Sequence, residues 1–205
     1  VQANARQVTV VGSGEVRGTP DTVTADVGIE VVAPDVTTAM NQTNERQRAV
    51  IDKLTSDGID SKDISTTAVN LQPQYGDNST VTGYRAGNTI SVKTQLDKAP
   101  RALTDIVNTG GNAARINAVS FSIADDSTLV SDARARAFED AKNRAKQYAE
   151  LSGMSLGRII SISEAPGTEA PRPVPVPAGA MAADVPLQPG QQTVGFSVTA
   201  VWELT

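Results

Sequence analysis

The chain has 205 residues, of which 39% are hydrophobic and 3% aromatic, with a formal charge of −5 and neither histidine nor cysteine. Without those two residue types, His-based and Cys-based catalytic triads, structural zinc sites and dithiol redox centres are excluded. The acidic balance, with an isoelectric point of about 4.8, argues against a nucleic-acid surface, and the shortage of rings removes stacking platforms for single strands.

Residues 1–6 are polar and unpatterned and read as a tether, and the opening VQANARQ reads as a mature or trimmed N-terminus. Absent cysteine fits an exported bacterial protein whose only thiol lay in a lost leader. Strand language begins with QVTVVGSGEVRG and continues in DTVTADVGIEVV, where Val23, Ala25, Val27, Ile29 and Val31 alternate with polar residues. Period-two alternation marks a half-buried antiparallel strand. The turn at Gly18-Thr19-Pro20 predicts that these two strands pair as a hairpin.

Asp35 is a natural N-cap for the next segment. Val36, Ala39, Met40, Thr43, Val50, Ile51 and Leu54 fall on one helical face with a single polar intruder, Gln47, and Gly58 follows where a left-handed cap is wanted. A long hairpin is predicted next, with arms Ile64 to Tyr75 and Thr80 to Asp97 around the turn GDNS. A short helix over about 98–109 groups Ala99, Ala102, Leu103, Ile106 and Val107, and Gly110-Gly111 stops it. Val119, Phe121 and Ile123 alternate in a strand; Ser127 opens the longest helix, which runs to Gly153; a strand with Ile159, Ile160 and Ile162 follows.

Seven of the eleven prolines lie between Pro166 and Pro189, a stretch predicted to run as exposed polyproline-type linker. Val194, Phe196, Val198, Ala200, Trp202 and Leu204 then alternate in a final strand, so the proline-rich stretch is an excursion within one fold. The expected architecture is α+β: antiparallel or mixed sheets with three helices in two interlocked lobes. Residues 1–6 form the tether and 7–205 a single domain. Lobe one takes 7–97 plus the final strand 191–205, lobe two takes 98–165, and 166–190 is the Pro-rich insert.

Few features invite a chemical reading. Ala133, Ala137, Ala141, Ala145 and Ala149 stack along one face of the longest helix as a smooth ridge, suited to close packing or, in part, to a subunit contact. Asp132 with Arg136 and Asp140 with Arg144 form acid-before-base pairs at helical spacing. Gly12-Ser13-Gly14 fails as a dinucleotide fingerprint, because its third glycine stands at Gly18 where position 17 is needed and no helix opens there. Glycine inside an alternating strand marks a bulge or a close backbone contact instead.

Asp57, Asp60 and Asp63, like Asp125 and Asp126, do not match a calcium loop and read as turn and cap residues. Glu139 and Asp140 point about 100° apart on a helix and make poor acid/base partners. Lys93 has no apolar surroundings in sequence. PRPVPVP suits a spacer or flap better than a ligand for a proline-reading module. No residue is assigned a catalytic, cofactor-binding or metal-binding role, and no cofactor is expected. A carboxylate hydrolase would need two acids about 5–10 Å apart in a cleft.

Several strings, in order, resemble one family. VVGSGEVRGTPDTVTADVGIE resembles the opening of the SIMPL-domain family, and TGYRAGNTISV its central strand, through Gly83, Tyr84, Ala86 and Asn88. GGNAARINAVSFSIAD, the alanine ladder to Gly153 and PLQPGQQTVGFSVTAVWEL are similar to its remaining blocks. The resemblance implies an α+β fold, export to the periplasm or outer envelope, self-assembly or contact with envelope proteins, and a setting in envelope stress tolerance; it supplies no catalytic residues. Twice as many arginines as lysines and abundant alanine make the chain look like a mycobacterial-type envelope lipoprotein, touching membrane only through an N-terminal lipid anchor. The expected function is that of a non-enzymatic extracytoplasmic protein acting through self-assembly or protein contacts. The alternative is a small-molecule binder of the envelope, for lipid or glycan.

Overall fold

The computed structural model describes residues 6–165, 176–177 and 187–205. Among them are three helices and two antiparallel sheets, an α+β fold as expected. The chain divides into two compact units, each built from a sheet with helix packed on one face.

The first unit holds β1 (Gln7–Gly18), α3 (Ser127–Leu151), β6 (Leu156–Glu164) and β8 (Gln192–Leu204), with strand order β1-β8-β6. The predicted hairpin between the first two strands does not form. β1 pairs instead with the far end of the chain, from Gln7↔Glu203 to Gly18↔Gln192. The reason lies in the glycines of β1. A Cβ on Gly12 would stand closer than 3.0 Å to Ala137 O, Ala141 N and Ala141 Cβ, and one on Gly14 would strike Ala133 O and Ala137 N. Bare backbone on β1 therefore meets the methyl ridge of α3, and all five ladder alanines are buried. Val10, Val198, Ala200 and Trp202 complete this core, and Phe138 packs on Trp202 with ring centroids 5.9 Å apart.

The second unit holds β2 (Thr22–Ala33), α1 (Val36–Ser56), β3 (Ile64–Tyr75), β4 (Val81–Gln95), α2 (Ala99–Gly110), β5 (Ala114–Ser122) and the two-residue β7 (Val176–Pro177), with strand order β3-β4-β2-β5-β7. Asp35 caps α1 as predicted, its Oδ1 accepting from Thr38 N at 2.8 Å. Val27, Ile29, Ile90, Val92, Val119 and Phe121 project from one sheet face onto Val50, Leu54, Leu103 and Ile106 of the two helices. Each such aliphatic or aromatic side chain contributes ~1.5–3 kcal/mol on burial. Met40, expected on the packed face of α1, is exposed.

The packing does not divide where the predicted lobes 7–97 and 98–165 would. α2 shares its core with α1 and the five-stranded sheet, while β1 leaves that sheet for the three-stranded one. The tether at 1–6 lies outside the described residues except for Arg6, whose carbonyl accepts from Leu204 N. The predicted polyproline linker over 166–190, with PRPVPVP, lies outside them too, apart from 187–190 and β7, whose backbone pairs with Ala118 and Val119.

Candidate functional site

On the open face of the five-stranded sheet, opposite α1 and α2, a polar hollow of about 220 Å³ is lined from four strands. Side chains alternate across a sheet, so Gly28 and Glu30 face away from the core that Val27 and Ile29 enter. Register brings Gly87 of β4 opposite Glu30, Asn70 of β3 opposite Gly87, and Arg115 of β5 opposite Gly28. Gly28 and Gly87 thus make a floor without side chains.

Neither glycine has positive φ. At Gly28 a Cβ would stand 3.1 Å from Asn117 Nδ2, the tip of a side chain that lies over it. At Gly87 a Cβ would meet nothing nearer than 4.0 Å, where Glu30 Oε2 and Ile29 O stand. Over this floor, Glu30 Oε1 faces Arg85 Nε at 3.3 Å and an Arg115 terminal nitrogen at 4.0 Å. Both contacts are longer than the ~2.7–2.9 Å of a tight charge-assisted bond. Asn70, Gln72, Thr89 and Asn117 add neutral donors and acceptors.

A second feature is an open strand edge. β1 ends its sheet on one side, and α3 caps the middle of that edge: Asp140 Oδ2 accepts from Ser13 N at 2.9 Å and Arg136 donates to Glu15 O at 3.1 Å. β6 ends the sheet on the other side with no such cover among the described residues. Ile159, Ile160 and Ile162 there are 40%, 48% and 58% exposed.

The predicted residues land mostly in structural roles. Asp60 accepts from Lys62 N and Asp125 from Ser127 N, as turn and cap residues do. Asp140 pairs with Arg144 at 3.0 Å, whereas Arg136 serves the Glu15 carbonyl. Lys93 stands exposed on β4. Gln47, the polar intruder of α1, accepts from Asn88 of β4 and donates to Thr66 of β3. Asp57 has a partner that spacing could not show, Asp105 of α2. These two carboxyls lie near enough to shift each other's proton affinity in opposite directions, and neither lines the hollow. Among the described residues no three acidic side chains converge to hold a metal ion, and no helix is long and apolar enough to cross a membrane.

The hollow escaped the sequence reading because its glycines sit in two strands far apart in the chain. The usable signal was a glycine at an outward position of each: Gly28 in β2 and Gly87 in β4.

An α+β chain with glycine-thinned strands and an alanine-ridged helix defines a class that family comparison resolves. Residues 8–202 match the model of the SIMPL family, described as a protein of unknown function (DUF541), and the chain belongs to that family. It is 29% identical over 216 residues to the 26 kDa periplasmic immunogenic protein of Brucella melitensis, covering 97% of this chain and 84% of that protein. It is 32% identical over 155 residues to the uncharacterized protein YggE of Escherichia coli K12, covering 74% of this chain and 62% of YggE. A hydantoinase/carbamoylase family amidase from Burkholderia ambifaria matches in structure with a TM-score of 0.27 and 13% identity, over 51% of this chain and 28% of that one, which carries no argument.

Proposed function

We propose that the chain is a non-enzymatic extracytoplasmic protein that works through contacts with other protein chains, copies of itself included, made by strand addition at an open sheet edge. The observation that carries this reading is β6. Its outer edge is uncovered among the described residues, it exposes three isoleucines, and the opposite edge of the same sheet is capped at its middle by Asp140 and Arg136. An edge strand with unpaired N–H and C=O groups is a template for pairing, and natural proteins protect such edges unless they use them.

The compartment is supported by the periplasmic naming of the Brucella relative. Composition, with its arginine excess over lysine and its alanine content, favours an envelope lipoprotein of mycobacterial type held by an N-terminal tether. A setting in envelope stress tolerance is part of this proposal and rests on the family resemblance alone.

Mass photometry or light scattering over a concentration series tests the reading. The native chain should form a discrete assembly, and the Ile160→Lys/Ile162→Lys variant should return it to monomer with its far-UV spectrum intact. A native particle that stays strictly monomeric at high concentration, and captures no envelope protein through β6, overturns it.

A further inference from the structure

We propose that the glycine-floored hollow on the open face of the five-stranded sheet is a binding site for a free polar α-amino acid, its ammonium on Glu30 and its carboxylate on Arg115 and Arg85.

The case begins with Gly87. Glycine inside a strand weakens it and normally answers a need for positive φ, a bulge or a close backbone approach. Gly87 meets none of these. It sits in unbroken register with Glu30 and Asn70, its φ is not positive, and a Cβ there would find open space. What the glycine does is keep room above the sheet. Gly28, diagonal to it in the next strand, extends the same floor, and the nearest group over it is the movable amide of Asn117.

The charges set the ligand. Glu30 Oε1 faces both guanidinium groups, while Oε2 lies over Gly87 and accepts no hydrogen bond among the described residues. Arg115 is 71% exposed and makes no other ion pair among the described residues, so its donors are available to an incoming anion. One carboxylate with two flanking guanidinium groups at 3.3 and 4.0 Å presents acceptor and donors at the spacing of an α-ammonium and its own carboxylate. Guanidinium forks match carboxylates in a way an ammonium cannot. A dipeptide separates its charged ends too far to use both at once.

A volume of about 220 Å³ is below the ~300–1,000 Å³ of sites for drug-sized ligands. The walls offer Asn70, Gln72, Thr89 and Asn117 rather than apolar or aromatic surface, so the side chain they suit is polar. A solvated row of ion pairs would need neither the glycine floor nor the unoccupied Glu30 oxygen.

Titration of the isotope-labelled chain with L-glutamine, followed by backbone amide shifts, tests the assignment. Saturable shifts should centre on Gly28, Glu30, Gly87 and Asn117. Acetate and ethylammonium, each carrying half of the charge pair, should bind at least about tenfold more weakly. Gly87→Val should abolish the shifts while Tm holds or rises, because a β-branched residue suits a central strand. Glu30→Gln and Arg115→Ala, at exposed or half-buried positions that do not hold the core, should each weaken binding about tenfold or more. No saturable shift with L-glutamine overturns the proposal. So does acetate binding as tightly as L-glutamine, which would reduce the hollow to an anion contact on its arginines, and so does a Gly87→Val chain that folds and binds unchanged.

Discussion

Asp57, at the C-terminal end of α1, and Asp105, inside α2, meet carboxyl to carboxyl. Asp57 Oδ2 and Asp105 Oδ2 are both buried without a donor, and a single proton shared by the two carboxyls would satisfy both. The charged groups that face the pair are Lys53 of α1, 3.1 Å from Asp57 Oδ1, and Arg101 of α2, 3.9 Å from each carboxylate. The hydrogen bond to Asp57, then burial, then the charge of Asp57 hold the Asp105 carboxyl above its ordinary value of 3.8. The bond from Asp105 and the neighbouring Lys53 hold Asp57 below the same value.

The signs follow from linkage. Asp105, raised in the folded chain, contributes stability that is full below its unfolded value and lost as pH climbs through its folded value. Asp57, lowered, contributes stability that is present above its unfolded value and lost as pH falls through its folded one. The junction of α1 and α2 is therefore firmest in mild acid, between the two folded values, and looser at neutral pH. Asp105→Asn supplies a permanent donor to Asp57 and removes one of two like charges. We expect a Tm a few degrees above native at neutral pH and no stiffening of the junction in mild acid. Thermal melts across the acid range check it; a native chain whose Tm does not rise on mild acidification contradicts the shared proton.

Gly12 gives the sharpest packing test. An added methyl there meets Ala137 O and Ala141 N, which are backbone and cannot swing aside. Overpacking of this kind costs ~1–3 kcal/mol even where side chains can yield, so Gly12→Ala is expected at or beyond the upper end of that range. Trp202, the only tryptophan, lies in the same core and reports the loss as an earlier fluorescence midpoint in urea. Ala141→Gly removes the clashing Cβ but neither backbone atom, so the double variant should recover only part of the loss.

Asn88 is buried on the helix-facing side of β4 and donates to Asn44 Oδ1 and Gln47 Oε1 of α1. Asn44 is exposed and Gln47 is half-buried with Thr66 still as a partner, so in Asn88→Leu water can take over both amide oxygens and the loss should be that of ordinary hydrogen bonds, about 1 kcal/mol. A cycle with Gln47→Leu should show a coupling of about 1 kcal/mol. Additive losses in the cycle would mean that the two amides act independently.

Period and punctuation made most elements legible. Ile64 to Tyr75 came out with its bounds intact, and the alanine ladder and the Asp35 cap followed from local rules. Pairing was harder. A Gly-Thr-Pro turn suggested that neighbours in sequence were neighbours in the sheet. Yet the demand of Gly12 and Gly14 for the ridge of α3 placed β1 beside β8, and a contact across more than a hundred residues leaves no local trace. The same blindness hid Asp57 from Asp105 and Gly28 from Gly87. Each residue is ordinary in its own segment and acquires meaning only when two elements meet.

Asp140 links that packing to the proposed use of the other edge. Its carboxylate takes the outward N–H of Ser13, a bond that holds it below the ordinary carboxylate range, with Arg144 also lowering it. In Asp140→Ala, β1 would present an uncapped donor in the middle of its edge. The direct loss should be small, about 1 kcal/mol, because the carboxylate is about a third exposed and partly screened. The larger effect is on association. With both edges of the sheet able to pair, closed assemblies through β6 should give way to open-ended growth, since heterologous contacts that do not close propagate. Sedimentation of Asp140→Ala beside the native chain should show a broad, concentration-dependent distribution in place of a discrete species. Adding Ile160→Lys and Ile162→Lys to that variant should abolish the growth. If instead the triple variant grows as readily, β6 is not the edge that the chain uses.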